Sequence, residues 1–190
     1  MPMNRIHNVL CSSGWWSRTV RSELLPWGLE GVELGDEVLE VGPGFGATTK
    51  VLAGRTEKLS VVELDEGYVR RLRSELPESV SVTEGDATDL PYPDGRFSAV
   101  VCFTMLHHIP TRELQDRAFA EVARVLAPEG TFAGTDSLGA GWLFKLIHVG
   151  DTLNLVDPGG LPARLKSAGL SDPEVDLGGR SLRFRARKRA

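Results

Sequence analysis

The sequence predicts an α/β fold, a mostly parallel sheet with helices on its faces, on three observations. Short Val-rich runs alternate with longer segments of helical period, the pattern of helices covering a parallel sheet. The stretch "VLEVGPGFGATT", residues 38–49, reads as a buried strand that runs straight into glycines and then a helix. The closing "SLRFRARK" alternates strictly, with Leu182, Phe184 and Ala186 on one side and Arg183, Arg185 and Arg187 on the other, the period of a half-buried strand.

The chain has 190 residues, about the length of one domain, and a chain of that size buries roughly 70% of its unfolded surface. With 41% hydrophobic and 25% charged residues of both signs, its composition is that of a soluble globular protein. No apolar run approaches the 18 or so residues that a bilayer span needs. "MPMNRIHNVLCSSGWWSR" lacks an unbroken apolar stretch before a small-residue cleavage site, which leaves the cytoplasm as the expected compartment. Cys11 and Cys102 are far apart and form no C-x-x-C pair, so neither a disulfide framework nor a metal site is expected. The net charge of -4 gives no basic footprint for a phosphate backbone, and no nucleic-acid partner is expected. Nothing in the sequence specifies an oligomeric state.

In order, the strand candidates are "EVLEV" (37–41), "KLSVVEL" (58–64), "SVSVTEG" (79–85), "FSAVVCF" (97–103) and "GTFAGTDS" (130–137), then "PEVDL" and "SLRFRARK". Val enrichment and bounding Gly, Pro or Asp support each of the first four. "GATTKVLAGR" supplies the first helix between them. "EGYVRRLRSEL" supplies the second, with Tyr68, Leu72 and Leu76 on one stripe and Asp65 as N-cap. "TRELQDRAFAEVARVLAP" supplies the third, entered through Thr111. A further helix ends at Gly169. Near the N-terminus Trp16, Val20 and Leu24 share a helical stripe, with Trp15 and Trp27 adding bulk. The expected organisation is therefore one domain: an N-terminal helical cap (1–35), a cofactor-binding core (36–136), and a substrate-side lid with the last strands (137–190). The arginine face of the last strand reads as a solvated sheet face, with an RNA or acidic-substrate patch as the alternative.

A glycine fingerprint has meaning when it follows a strand, opens a helix and is answered by an acidic residue about 20 positions later. Gly42, Gly44 and Gly46 stand at such a turn, and Glu63 lies 21 positions after Gly42. A carboxylate there can accept both hydrogen bonds of a ribose diol. "GPGFGA" also matches the dinucleotide pattern, but Pro43 removes an N–H donor and Glu40 places negative charge near the loop. S-adenosylmethionine carries the same adenosine with a sulfonium and an ammonium in place of phosphates, and suits a loop with a carboxylate at its mouth.

Taken together, "LEVGPGFG", "VVELD", "EGDATDLPYPDGRFSAVVCFTMLHHI" and "LAPEGTF", in this order over residues 36–136, resemble the motifs of class I S-adenosylmethionine-dependent methyltransferases. The nearest resemblance is to the small-molecule type 11 group that includes ubiquinone and menaquinone methyltransferases. It implies a Rossmann-like three-layer sandwich with a mostly parallel seven-stranded sheet and an antiparallel last strand. It also implies that Glu40 and Gly42, Gly44 and Gly46 hold the methionine part, Glu63 the ribose hydroxyls and Leu64 the adenine face. Asp86 would accept from the adenine amino group beside the Ala87 N–H, and Phe103 and Thr104 would line the methionine side. The product would be S-adenosylhomocysteine. Each position has a plainer alternative: Asp86 a turn residue, Glu63 a strand end.

"TMLHHIP" follows the fourth strand, where substrate and methyl group would meet, so His107 and His108 are the candidate catalytic bases. Alternatively one or both only pack over the cofactor or cap the following helix, since methyl transfer from a sulfonium needs little beyond alignment and desolvation. His148 is a remoter candidate. Trp142, Phe144, Leu146 and Ile147 form an apolar stretch that reads as a lid and a wall for a small, apolar acceptor, or as core beside the sheet. "LEVGPGFG" with "VELD" also resembles the adenine dimethylases of ribosomal RNA, but their Asn/Asp-Pro-Pro-Tyr-like motif is replaced by "FTMLHH". A nicotinamide-dependent oxidoreductase lacks a Tyr-x-x-x-Lys constellation here, and a non-catalytic S-adenosylmethionine-binding protein is the third alternative.

Overall fold

The computed structural model describes residues 9, 11–139, 144, 149, 150 and 152–190. Its seven strands are β1 (Glu37–Val41), β2 (Lys58–Glu63), β3 (Val80–Glu84), β4 (Phe97–Phe103), β5 (Leu126–Ser137), β6 (Leu170–Gly178) and β7 (Ser181–Lys188). The helices are α1 (Gly14–Thr19), α2 (Leu25–Gly28), α3 (Thr49–Leu52), α4 (Glu66–Glu75), α5 (Arg112–Val125) and α6 (Leu161–Ser167), with a π-helical turn, Val20–Leu24, joining α1 to α2. One sheet runs β3-β2-β1-β4-β5-β7-β6. β3 to β5 pair in parallel, and β7 lies antiparallel to both β5 and β6. This is the mostly parallel, seven-stranded α/β sheet with a reversed last strand.

Period-2 alternation divides the core into two layers. Leu39, Val41, Val100, Cys102, Phe132, Leu182 and Phe184 pack on one side, with Phe119 and Val122 of α5 and Leu165 of α6. Val38, Val61, Ala99, Val101, Phe103 and Ala133 pack on the other, with Leu25 of α2 and Leu52 of α3. Asp65 caps α4 by accepting from the N–H groups of Gly67 and Tyr68, and Thr111 caps α5 by accepting from that of Leu114.

Three boundaries differ from the sequence reading. The first helix shrinks to Thr49–Leu52, because Gly44 and Gly46 adopt φ of +53° and +73° and hold the chain out of the right-handed helix beyond the loop. β5 begins at Leu126 rather than at residue 130. Leu126 pairs with Phe97 and Thr131 with Ala99, so the residues between bulge out around Glu129, which has φ +63°. β6 extends beyond "PEVDL" to Leu170–Gly178. The arginine face of β7 is tied down: Arg183 bonds Glu30 and Asp176 and lies 5.5 Å over the Trp27 ring, while Arg185 bonds Glu174. Trp142, Leu146, Ile147 and His148 lie outside the described residues.

No described helix is long and apolar enough to cross a membrane. Among the described residues no cluster of three or more His, Cys, Asp or Glu side chains is placed to hold a metal ion.

Candidate functional site

The parallel strands end at one edge of the sheet, since Val41 pairs with Val62, Glu63 with Glu84, and Phe103 with Thr135. Strand order turns back between β1 and β4, and a crevice at such a point, outside the carboxyl ends, is where open α/β sheets take ligands. Gly42 after β1 and Met105 after β4 face each other across it, and a methyl group on Gly42 would collide with the Met105 side chain.

Gly42, Gly44 and Gly46 all have positive φ, at +67°, +53° and +73°, the region that favours glycine. A side chain at Gly46 would meet Leu72 of α4 at 2.8 Å, whereas at Gly44 it would meet nothing within 4 Å. The loop is therefore packed at its two ends and open at its centre, a cradle into which a ligand's backbone-hugging portion fits. Phe45 at its tip sits edge-on to Tyr68 and under Arg71.

Two carboxylates support this loop from different sides. Glu63, at the end of β2, accepts the Gly44 N–H on one oxygen and the Asp65 N–H on the other, each at 3.0 Å. This is a structural job that the sequence did not reveal. Each oxygen keeps lone-pair capacity for a hydroxyl. Glu40 lies beneath the loop, 1% exposed, bonded by the hydroxyls of Thr48 and Thr49. Burial pushes its pKa up to about 7 against the partial relief of the two threonine bonds, and the nearby Glu63 charge adds to the rise.

Beyond Glu63 the Leu64 side chain is 55% exposed. Asp86 follows β3, its Oδ1 accepting from the backbone N–H and hydroxyl of Thr88, and the half-buried Ala87 packs against the core beside it. Phe103 is buried in the layer under α2. Thr104 has φ +52° and bonds its N–H to Thr135 O. A β-branched residue in that region is strained, and it stands where β4 meets the crevice.

His107 and His108 lie in a short 3₁₀ turn, Leu106–His108, with ring centroids 4.2 Å apart; Phe144 lies 5.9 Å from His107. His107 is 3% exposed. Its Nδ1 bonds Asp136 Oδ1, and its backbone N–H donates to Asp136 Oδ2 at 2.9 Å. Asp136, fully buried near the end of β5, also accepts from the Ser137 N–H. Sequence reasoning passed over Asp136; its one signal was an acidic residue at the carboxyl end of an inner strand. It likewise passed over Gln115 and Asn154, which clamp this turn. Gln115 donates to Leu106 O and Asn154 O, and Asn154 donates through its N–H to His107 O and through Nδ2 to Ile109 O.

A family model described as "Methyltransferase domain" matches residues 39–134. Malonyl-[acyl-carrier protein] O-methyltransferase of Geobacter sulfurreducens is 40% identical over 108 residues, covering 55% of this chain and 39% of that protein. Ornithine lipid N-methyltransferase of Singulisphaera acidiphila is 35% identical over 131 residues, covering 64% of this chain and 65% of that protein. A shorter stretch of 60 residues is 43% identical to ribosomal RNA small subunit methyltransferase A of Cupriavidus taiwanensis, covering 32% of this chain and 22% of that protein. The chain thus spans less than two thirds of the length of each of these relatives. In fold it is similar to a SAM-dependent methyltransferase of Thermotoga maritima, described as a possible histamine N-methyltransferase. That likeness has a TM-score of 0.73 at 18% identity and covers 98% of this chain and 100% of the other.

Proposed function

The chain belongs to the methyltransferase domain family, the type 11 group of class I S-adenosylmethionine-dependent enzymes, and from that premise we propose that it methylates a small, largely apolar acceptor. The observation that carries the cofactor reading is the Gly42–Gly46 loop, open at Gly44 and joined through the Gly44 N–H to Glu63. Such a loop admits the methionine part at its centre while Glu63 receives the ribose diol from the same side. Leu64 then covers the adenine, Asp86 and the Ala87 N–H meet its polar edge, and Phe103 and Thr104 border the methionine side. Glu40 acts from below, as support for the loop and as buried negative charge near the ligand's ammonium and sulfonium groups.

When bound, S-adenosylmethionine supplies the methyl group on its sulfonium. His107 or His108 stands on the β4 side as the base for an acceptor that needs one, and Phe144 stands beside His107 as part of the acceptor wall. The names of the relatives, an O-methyltransferase of an acyl-carrier-linked malonyl group and an N-methyltransferase of ornithine lipid, support an acceptor of this size and polarity. Calorimetry with S-adenosylmethionine, S-adenosylhomocysteine and NAD tests the reading. Binding of the first two and not the third is expected, and tight NAD binding alone overturns it.

A further inference from the structure

The segment from Gly85 to Arg96, between β3 and β4, carries Asp86 and belongs to no helix or named strand, so side chains must fix it. Two residues one turn apart on α5 do so. Glu121 accepts the Leu90 N–H at 2.8 Å. Arg124 donates to Leu90 O at 2.9 Å, to Tyr92 O at 2.8 Å and to Asp94 Oδ1 at 2.7 Å, and its own carbonyl accepts the Gly95 N–H at 3.0 Å. Glu121 in turn holds the guanidinium on both oxygens, at 2.8 and 2.7 Å, a bidentate, charge-assisted pair whose planar fork fixes direction as well as distance. The Arg124 bonds keep the Glu121 carboxyl below its usual range, so the pair is ionised at neutral pH.

This clamp ends four residues from Asp86, and a tight turn carries its geometry the rest of the way. The Asp89 N–H donates to Asp86 O at 3.1 Å, and Asp86 Oδ1 accepts the Thr88 N–H and hydroxyl. On the other side the Gly85 N–H bonds Glu63 O at 3.0 Å, which ties the same segment to the end of β2. Asp86 and Ala87 are thus suspended between two fixed points. Among the described residues Asp86 Oδ2 accepts no hydrogen bond and the Ala87 N–H donates none. An acceptor and a donor on adjacent residues are left pointing at no protein group.

We infer that Glu121 and Arg124 are positioning residues that make the cofactor site selective for adenine, by holding the Ala87 N–H and the open Asp86 oxygen as a fixed donor–acceptor pair for N1 and the amino group of that base. This inference rests on the S-adenosylmethionine reading. Hypoxanthine, with an N1–H and a carbonyl in those places, sets donor against donor and acceptor against acceptor, and leaves both protein groups unpaired. A loop free to turn would rotate these groups away and accept either base; a clamped one rejects the wrong base.

Two measurements on the full chain test this. Calorimetry compares S-adenosylhomocysteine with S-inosylhomocysteine, which differs only in the base. The wild type should prefer the first by about 10²-fold, less than the 10⁴ or more of a fully buried polar site because Asp86 is exposed. In Glu121→Gln and in Arg124→Lys, whose ammonium cannot reproduce the fork, that preference should fall to about tenfold or less. The whole loss should lie in S-adenosylhomocysteine, with affinity for the inosyl compound nearly unchanged. Equal weakening of both ligands, with the preference kept, is what a merely structural role would give and overturns the inference. A wild type that binds both equally overturns it too, and leaves the cofactor reading standing. The second measurement is amide hydrogen exchange of the wild type, which needs no variant to fold. The Leu90 and Gly95 amides should be protected before any ligand is added; exchange at the rate of an open chain until ligand binds overturns the inference. Binding of neither compound sinks the cofactor reading itself, and is told apart from failure of the clamp by the exchange of Leu90, read without ligand.

Discussion

At the scale of single residues, the two acidic groups that frame the glycine loop make opposite predictions about charge. Glu63 is tied to backbone N–H groups on both oxygens. Glu63→Ala removes those bonds and the two proposed for the ribose, and a charge-assisted bond is worth about 1.5–3 kcal/mol. Affinity for S-adenosylhomocysteine should fall by roughly 10²-fold or more, measured by calorimetry. Asp65→Ala should leave it nearly unchanged and cost about 1 kcal/mol of stability as a lost N-cap; the reverse result would move the ribose site to Asp65. Glu40 is different because burial lifts its pKa from 4.5 to about 7. Below the unfolded value both states are protonated. As pH rises toward 7 the folded chain holds a proton that the unfolded chain has lost, so Glu40 costs stability progressively, by roughly 3 kcal/mol once pH exceeds about 7. Glu40→Gln should therefore melt higher than wild type at pH 8 and nearly equal to it at pH 4. A cationic ligand above Glu40 favours its ionised form, so binding of S-adenosylmethionine should release a proton and tighten at most about tenfold per unit as pH approaches 7. Calorimetry in two buffers of different ionisation enthalpy counts that proton. Glu63 was singled out by its spacing and Glu40 by its charge beside the loop, though not the bonds that each makes there. Asp136 was not, because its importance lies in touching His107, 29 positions away in sequence, and neither residue's neighbours announce the other.

At the scale of elements, the loop from β1 to α3 shows what local sequence can and cannot specify. The strand, the three glycines and the turn were readable because apolar alternation and positive φ each demand particular residue types. The length of α3 was not, since "GATTKVLAGR" has helical composition throughout and the positive φ of Gly44 and Gly46, in a loop packed through Gly42 against Met105 and through Gly46 against Leu72, sets where the helix begins. The same packing separates the glycines by experiment. Gly44→Ala meets open space, so its cost to folding is the left-handed conformation alone, about 1–2 kcal/mol. That corresponds to a drop of several degrees in melting temperature. Its methyl group enters the cradle, so binding of S-adenosylhomocysteine should weaken about tenfold or more. Gly42→Ala pays the same backbone strain and also drives into Met105, so it should lose stability well beyond Gly44→Ala in thermal melts. Equal destabilisation by the two would mean that the loop's centre is packed rather than open. β5 follows the same rule: "GTFAGTDS" was legible as a strand, but its earlier start at Leu126 depends on a bulge around Glu129 that pairing with Phe97 imposes from β4.

At the scale of the whole molecule, the order of the strands decides what the site can hold. Reversal between β1 and β4 brings the Gly42–Gly46 loop, Glu63 and Asp86 to one side of a crevice and the His107 turn with Asp136 to the other, so cofactor and acceptor would meet edge to edge. The alternation of strand and helix made the sheet legible in advance; its clamp of Gln115, Asn154 and Asp136 around the His107 turn was not, because it joins α5, β5 and the segment after Gly150. Which acceptor enters is the remaining question at this scale, and charge bears on it. The chain carries a net charge of -4, and two of the three arginines of the β7 stripe are paired, Arg183 with Glu30 and Asp176 and Arg185 with Glu174. An RNA acceptor would need several cationic contacts to phosphates, each releasing counterions. The ribosomal RNA methyltransferase likeness covers 60 residues, 32% of this chain, and "FTMLHH" stands where the adenine clamp of that group would be. Labelled-methyl transfer should therefore mark small molecules in a metabolite extract and leave total RNA unlabelled. Label appearing in RNA alone, and falling steeply as salt rises from 50 to 200 mM, as expected when phosphate contacts dominate binding, would overturn the small-molecule reading and make the nucleic-acid face, not the Phe144 wall, the surface to map.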